Sequence, residues 1–120
     1  MNICLDDFSP VIKLRGDRRI LVDLFFDANL AFFEGHFPGF SITPGVLQCH
    51  LAVQCANKFL NLNAFPTKIQ VMKFMSPLRP NSMVSLDLSF DKNSQNLKFL
   101  FSDGEVSYSS GKIKTGEIDE

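Results

Sequence analysis

The stretch Pro44-Gly45-Val46-Leu47-Gln48-Cys49-His50-Leu51-Ala52-Val53-Gln54-Cys55-Ala56-Asn57-Lys58-Phe59-Leu60 decides the fold. Proline suits the first turn of a helix, where its missing N–H has no intrahelical partner. Thr43 stands just before it as an N-cap. From Val46 to Leu60 the residues are apolar almost all round, which predicts a buried helix rather than a surface one. Asn61-Leu62-Asn63 and Pro66 are read as its end.

The flanks predict what buries it. Val11–Leu14 and Arg19–Phe26 read as two strands joined by a Gly16-Asp17 turn, a hairpin. After the helix, residues 69–76 form a strand of mixed faces, and Pro77 and Pro80 bracket a break. Val84–Phe90 alternates cleanly, as a half-buried strand does. Asp91–Ser94 is a turn, Leu97, Phe99 and Phe101 share one face of the next strand, and Val106–Ser109 belongs to the last. A long apolar helix needs a sheet to wrap it, so the expectation is an α+β domain: about six antiparallel strands curled around one helix. Residues 1–120 form one domain, with 1–8 and 113–120 expected to be peripheral and the charged tail from Lys112 to Glu120 frayed.

Composition excludes several classes of function. The chain has 120 residues, 45% hydrophobic and 21% charged, with a net charge of −1. There is no basic block with interleaved aromatics, so nucleic acid is not an expected partner. No run reaches the roughly 20 apolar residues of a membrane span. The N-terminus, with Asp6 and Asp7, does not read as a signal peptide. Cys4, Cys49 and Cys55 lack paired Cys-x-x-Cys spacing, which argues against a disulfide framework and against zinc; Cys49 and Cys55 read as packing residues. No metal is expected from this spacing, and a cytoplasmic setting fits free thiols best. Thirteen Phe exceed what a plain core requires and hint at a self-association surface or an apolar tunnel.

The chemistry lies just ahead of the helix. Gly35-His36-Phe37-Pro38-Gly39-Phe40-Ser41-Ile42-Thr43 is a loop shaped by Gly and Pro, and it places a histidine before a helix N-terminus. That terminus offers unpaired N–H groups and a partial positive charge. The N–H groups of Gly45 and Val46 can polarise a carbonyl oxygen, and Gly45 lets a substrate approach its backbone closely. A neutral imidazole at His36 is a natural general base near neutral pH.

The segment resembles the signature of β-hydroxyacyl-acyl-carrier-protein dehydratases: Gly-His-Phe-Pro, a Pro-Gly-Val-Leu helix start, then an acidic residue and a Gln one turn later. The matching positions are His36, Phe37, Pro38 and Gly39 in the loop, Gly45 and Val46 at the helix start, position 50 and Gln54. Position 50 follows His36 by the family's fourteen residues. Lys73–Pro80 resembles the family's strand and Pro/Arg segment. Ser109-Ser110-Gly111 resembles the last strand of the variant dehydratases of aryl-polyene-type pathways. The likeness covers most of residues 15–112.

The resemblance implies a hot-dog fold and a homodimer with two shared active sites that need no metal or organic cofactor. His36 of one subunit removes the α-proton of a 3-hydroxyacyl thioester, carried by acyl-carrier protein or CoA. The acid on the partner's helix helps the hydroxyl leave, Gly45 and Val46 hold the thioester carbonyl, and Gln54 orients the site. The departure in chemistry is His50, which stands where the family has Glu or Asp. An imidazolium can protonate the leaving hydroxyl, but an imidazole at neutral pH is largely uncharged without an acidic neighbour. Three outcomes follow from that change: dehydration with a different acid, a switch to thioester hydrolysis, or acyl-carrier binding without catalysis. Ser41, where the family usually has Pro, is a minor loop change.

Overall fold

The computed structural model describes residues 5–27, 45–79 and 81–117. A 3-10 turn, Leu5–Phe8, precedes β1 (Val11–Arg15) and β2 (Arg19–Phe26). The helix α1 (Gly45–Phe59) is followed by β3 (Ala64–Phe74), β4 (Ser82–Asp91), β5 (Asn96–Ser102) and β6 (Ser107–Glu117). The six strands form one antiparallel sheet in the order β1-β2-β4-β5-β6-β3.

The alternation in sequence becomes the two faces of this sheet. In β2, Ile20, Val22, Leu24 and Phe26 are buried; in β4, Val84, Leu86, Leu88 and Phe90 are. These rows meet in an unshifted register, Arg19↔Ser89 through Phe26↔Ser82. Leu97, Phe99 and Phe101 of β5 and Ile113 of β6 extend the same inner face. Leu47, Leu51, Ala52, Cys55 and Ala56 of α1 complete the core. Phe8, Phe26, Phe101 and Phe99 form a chain of edge-to-face rings with centroids 5.1, 6.5 and 5.7 Å apart, the arrangement aromatic quadrupoles favour. Gly111 admits one of these rings: a Cβ there would lie 2.5 Å from Phe99 Cε2 and 3.0 Å from the Val71 carbonyl oxygen.

Both ends of the helix's exit are pinned. The Arg15 guanidinium donates to the Phe59 carbonyl at 3.2 Å, and Asn61 turns the chain with φ 54°. A left-handed Asn just past a helix is a common C-terminal stop. The Asn57 side chain then exchanges two 2.9 Å hydrogen bonds with the backbone N–H and carbonyl of Ala64, which sets the start of β3 against the helix.

Four expectations are corrected. Leu5 and Phe8 are not peripheral, because their side chains enter the core. Residues 112–117 do not fray: Lys112 and Lys114 alternate with buried Ile113 and Thr115 in β6. Pro66 does not follow the helix as its stop but lies within β3, an edge strand, where a missing N–H is tolerated. The helix is not enclosed on all sides, since His50 and Lys58 are exposed.

The β5–β6 turn is built on Asp103. Its carboxylate accepts the N–H of Val106 at 2.7 Å, the N–H of Glu105 at 2.9 Å and the Tyr108 hydroxyl at 3.0 Å. These bonds, Val106's first, hold the Asp103 carboxyl below its usual range. A depressed folded-state value contributes stability that is present above the unfolded value and lost as pH falls through the folded one. Hydrogen exchange at Glu105 and Val106 is therefore expected to quicken, relative to the ladder amides shared by β2 and β4, as pH drops below about 4. Asp103→Asn should quicken it at neutral pH and flatten the acid dependence; an unchanged profile would remove Asp103 from that role.

Candidate active site

The helix start and its face are the part of the site that the described residues reach. α1 begins at Gly45 and carries no acidic side chain in its first turn, while Lys58 sits in its last. The positive end of the helix is thus uncompensated by its own first-turn side chains, and the negative end is complemented. Its first-turn N–H groups, Gly45 and Val46 among them, have no intrahelical acceptors.

His50 and Gln54 are one turn apart on the helix and share a face. His50 is exposed and Gln54 half-buried. A helix rise of about 1.5 Å per residue puts His50 roughly 7 Å along the axis from Gly45. The structure therefore brings Gly45, Val46, His50 and Gln54 onto the first two and a half turns of one helix. His36, Phe37, Pro38 and Gly39 lie outside the described residues.

The residue that anchors this end of the helix is one the sequence reading passed over. Gln48 is 3% exposed, and the buried Ser109 hydroxyl of β6 donates to its Oε1. The bond ties the first turn of α1 across the core to the last strand. A signal was present: Gln48 is the lone polar residue on the stripe formed by Leu51, Ala52 and Cys55. Ser109→Ala would strand the buried Gln48 acceptor of this donor, at a cost of about 1–3 kcal/mol. A urea melt with the midpoint unmoved would show that the bond contributes nothing.

Cys49 and Met72 bring their sulfurs to 3.9 Å, joining the helix to β3. Burial raises the thiols of both Cys49 and Cys55, the latter to about 12, which leaves them in the protonated, unreactive form. Among the described residues no group of three or more His, Cys, Asp or Glu side chains could hold a metal ion. No helix among them is long and apolar enough to cross a membrane.

Comparison with known proteins places this geometry. The family profile for ApeI dehydratase matches residues 13–112. Among curated proteins, 3-hydroxyacyl-[acyl-carrier-protein] dehydratase FabZ of Oenococcus oeni is 32% identical over 94 residues, covering 72% of this chain and 68% of that protein. FabZ of Fusobacterium nucleatum is 38% identical over 74 residues, 57% of this chain and 52% of that one. Among solved structures, the dehydratase heterocomplex ApeI:P of Xenorhabdus doucetiae superposes with a TM-score of 0.81 at 28% identity, over 88% of this chain and 96% of that one. An uncharacterised protein of Erwinia carotovora gives a TM-score of 0.79 at 30% identity over 92% and 98%. With a six-stranded antiparallel sheet around one helix, a hot-dog fold, and a match across 100 of its residues, the chain belongs to the ApeI-like dehydratase family.

Proposed function

We propose that the protein dehydrates a 3-hydroxyacyl thioester, carried by acyl-carrier protein or CoA, to the trans-2-enoyl thioester in fatty-acid or polyene-type synthesis. The observation that carries this reading is the family match across residues 13–112, which includes the histidine loop and the helix start. His36 takes the α-proton. The developing oxyanion rests on the N–H groups of Gly45 and Val46, where preorganised donors act most strongly. His50 of the partner, as imidazolium, gives a proton to the 3-hydroxyl, the C3–O bond breaks, and water leaves. His36 then releases its proton to solvent and His50 regains one, so no net proton is consumed. Gln54 orients His50 from one turn away, and Phe37, Pro38 and Gly39 shape the entrance. The chemistry calls for no metal or organic cofactor, and the protein works in the cytoplasm.

The shared site requires a dimer, and β3 supports one. β3 is an eleven-residue edge strand that, among the described residues, pairs only with β6. Ile69 (54%) and Phe74 (59%) are among its exposed apolar side chains, with Phe65 and Val71. A long, apolar, unpaired edge is an association surface.

The test presents 3-hydroxyacyl and simple acyl thioesters and follows enoyl absorbance and free thiol separately. Enoyl product without thiol is expected. Thiol without enoyl would replace the reading with a thioesterase; neither product, with carrier protein bound, would make the chain an acyl-carrier-binding subunit. His50→Glu should raise enoyl formation by about tenfold or more, because it restores a carboxyl acid in general acid catalysis. A second reading has His50 in its favour too: the chain pairs with a different hot-dog subunit that supplies a carboxylate, as the structural relative from Xenorhabdus doucetiae is a heterocomplex. Activity that appears only on adding such a subunit, with His50→Glu without effect alone, would select it.

A further inference from the structure

The two ends of α1 are held against the sheet by polar contacts, and the middle by apolar ones. Asn57 and Arg15 fix the C-terminal end. Leu47, Leu51, Ala52, Cys55 and Ala56 pack into the core. Apolar contacts are non-directional, so they oppose lifting of a helix more than turning or sliding of it. Gln48 supplies direction in the first turn. Its Oε1 accepts the buried Ser109 hydroxyl, and a hydrogen bond weakens steeply as its angle closes.

Ser109 is a rigid place to hold from. β6 is an interior strand, and Ser109 pairs with Phe101 on one side and Phe74 on the other. One residue earlier, the Tyr108 carbonyl accepts the N–H groups of Met75 at 3.0 Å and Ser76 at 3.3 Å. The end of β3, the start of β6 and the first turn of α1 are thereby joined in one unit.

The bond also sets which way the helix faces. Successive residues lie about 100° apart around an α-helix, so His50 stands about 200° from Gln48. With Gln48 drawn against the sheet, His50 must face away from it, and His50 is exposed. Gly45 and Val46 lie within one turn of Gln48, so their N–H groups move with it. A rotation of about 10° would carry a side-chain tip, roughly 6 Å from the axis, by about 1 Å. A misplacement of about 1 Å can cost about 10²-fold in rate.

We propose that Gln48 and Ser109 are positioning residues of the dehydration site. They set the rotation of α1 at which the Gly45 and Val46 N–H groups meet the thioester carbonyl and His50 faces the other subunit. Neither touches the substrate; both act through the helix. The role rests on the dehydration reading above, and it concerns rate rather than the stability that the bond also contributes.

Three full-length variants separate placement from stability. Ser109→Ala should lower kcat for enoyl formation by about tenfold to a hundredfold, with KM little changed. Gln48→Met with Ser109→Ala replaces both polar partners by apolar groups, which brings the melting temperature back toward the parent. Its kcat should stay as low as that of Ser109→Ala. Recovery of kcat together with the melt would reduce the pair to a stabilising bond and overturn the proposal. Thr115→Val removes a different bond, from the buried Thr115 hydroxyl to the Gln95 carbonyl at 3.1 Å. It lies about 20 Å along β6 from Ser109, so it should melt lower and keep the parent's kcat. An equal loss of kcat there would overturn the proposal too, by making the effect one of general destabilisation. Amide chemical shifts of Gly45 and Val46, recorded without substrate, read the helix start independently of catalysis. They should move in both Ser109 variants and not in Thr115→Val; unmoved shifts in the Ser109 variants overturn the placement. A parent that forms no enoyl product would overturn the dehydration reading, while the shifts would still decide whether the pair holds the helix start.

Discussion

The His36→Ala chain is expected to form enoyl thioester about 10²–10⁴-fold more slowly than the parent, the span that a positioned general base contributes. The loss should fall on kcat and on kcat/KM together, with KM little changed, because proton abstraction is an interaction of the transition state rather than of the bound thioester. The carbonyl would still be held by the Gly45 and Val46 N–H groups at the start of α1, so residual activity above the solution rate should survive. His36→Gln should do no better than Ala, since an amide cannot take the proton. A thermal melt unchanged from the parent is expected alongside the lost rate, and would separate lost chemistry from lost folding. A variant that keeps its rate would move the base elsewhere. A variant that loses acyl-carrier binding as well as rate would make His36 a binding residue.

The fold was legible wherever one face of an element is buried and the other wet. β2 and β4 alternate residue by residue in sequence, and their burial alternates in step. The helix was legible for the opposite reason, a continuous apolar stripe too long for a strand. What misled was polarity without context. Lys112 and Lys114 looked like a solvated tail, yet a period of two with Ile113 and Thr115 places both lysines on the outer face of β6. Pro66 looked like a helix stop, and only the knowledge that β3 is an edge makes a proline at home within it. Gln48 was overlooked because a Gln on an apolar stripe has no meaning until its partner is known, and Ser109 lies 61 residues away. In the site, motif spacing alone pointed to His50 and Gln54 together. Their common face follows from the helix, but the exposure of His50 does not, because an almost wholly apolar helix reads as enclosed.

That exposure bears on the second large effect, which concerns β3. Ile69→Asp combined with Val71→Asp is expected to dissociate the dimer and to abolish enoyl formation with it. Both side chains are exposed in the single chain, at 54% and 43%, so the carboxylates face water there and the monomer should fold and melt much as before. In a dimer paired through β3 the substitutions occur on both copies, placing four carboxylates in one desolvated strip. Central interface positions each cost about 2 kcal/mol or more when disrupted, so the dissociation constant should rise by about three orders of magnitude or more. Light scattering would then report a single chain at concentrations where the parent is paired. Activity should fall in parallel, because His36 of one copy would no longer meet His50 of the other, and mixing the variant with His36→Ala chains should not restore it. Substitution of Val11 and Leu14 on β1, the opposite edge of the sheet and equally exposed, supplies the control: charge there should leave both mass and rate unchanged. If the β3 variant stays paired and active, the subunits meet through another face. If it becomes monomeric and keeps its rate, each site lies within one chain, and His50 loses its place in the reaction.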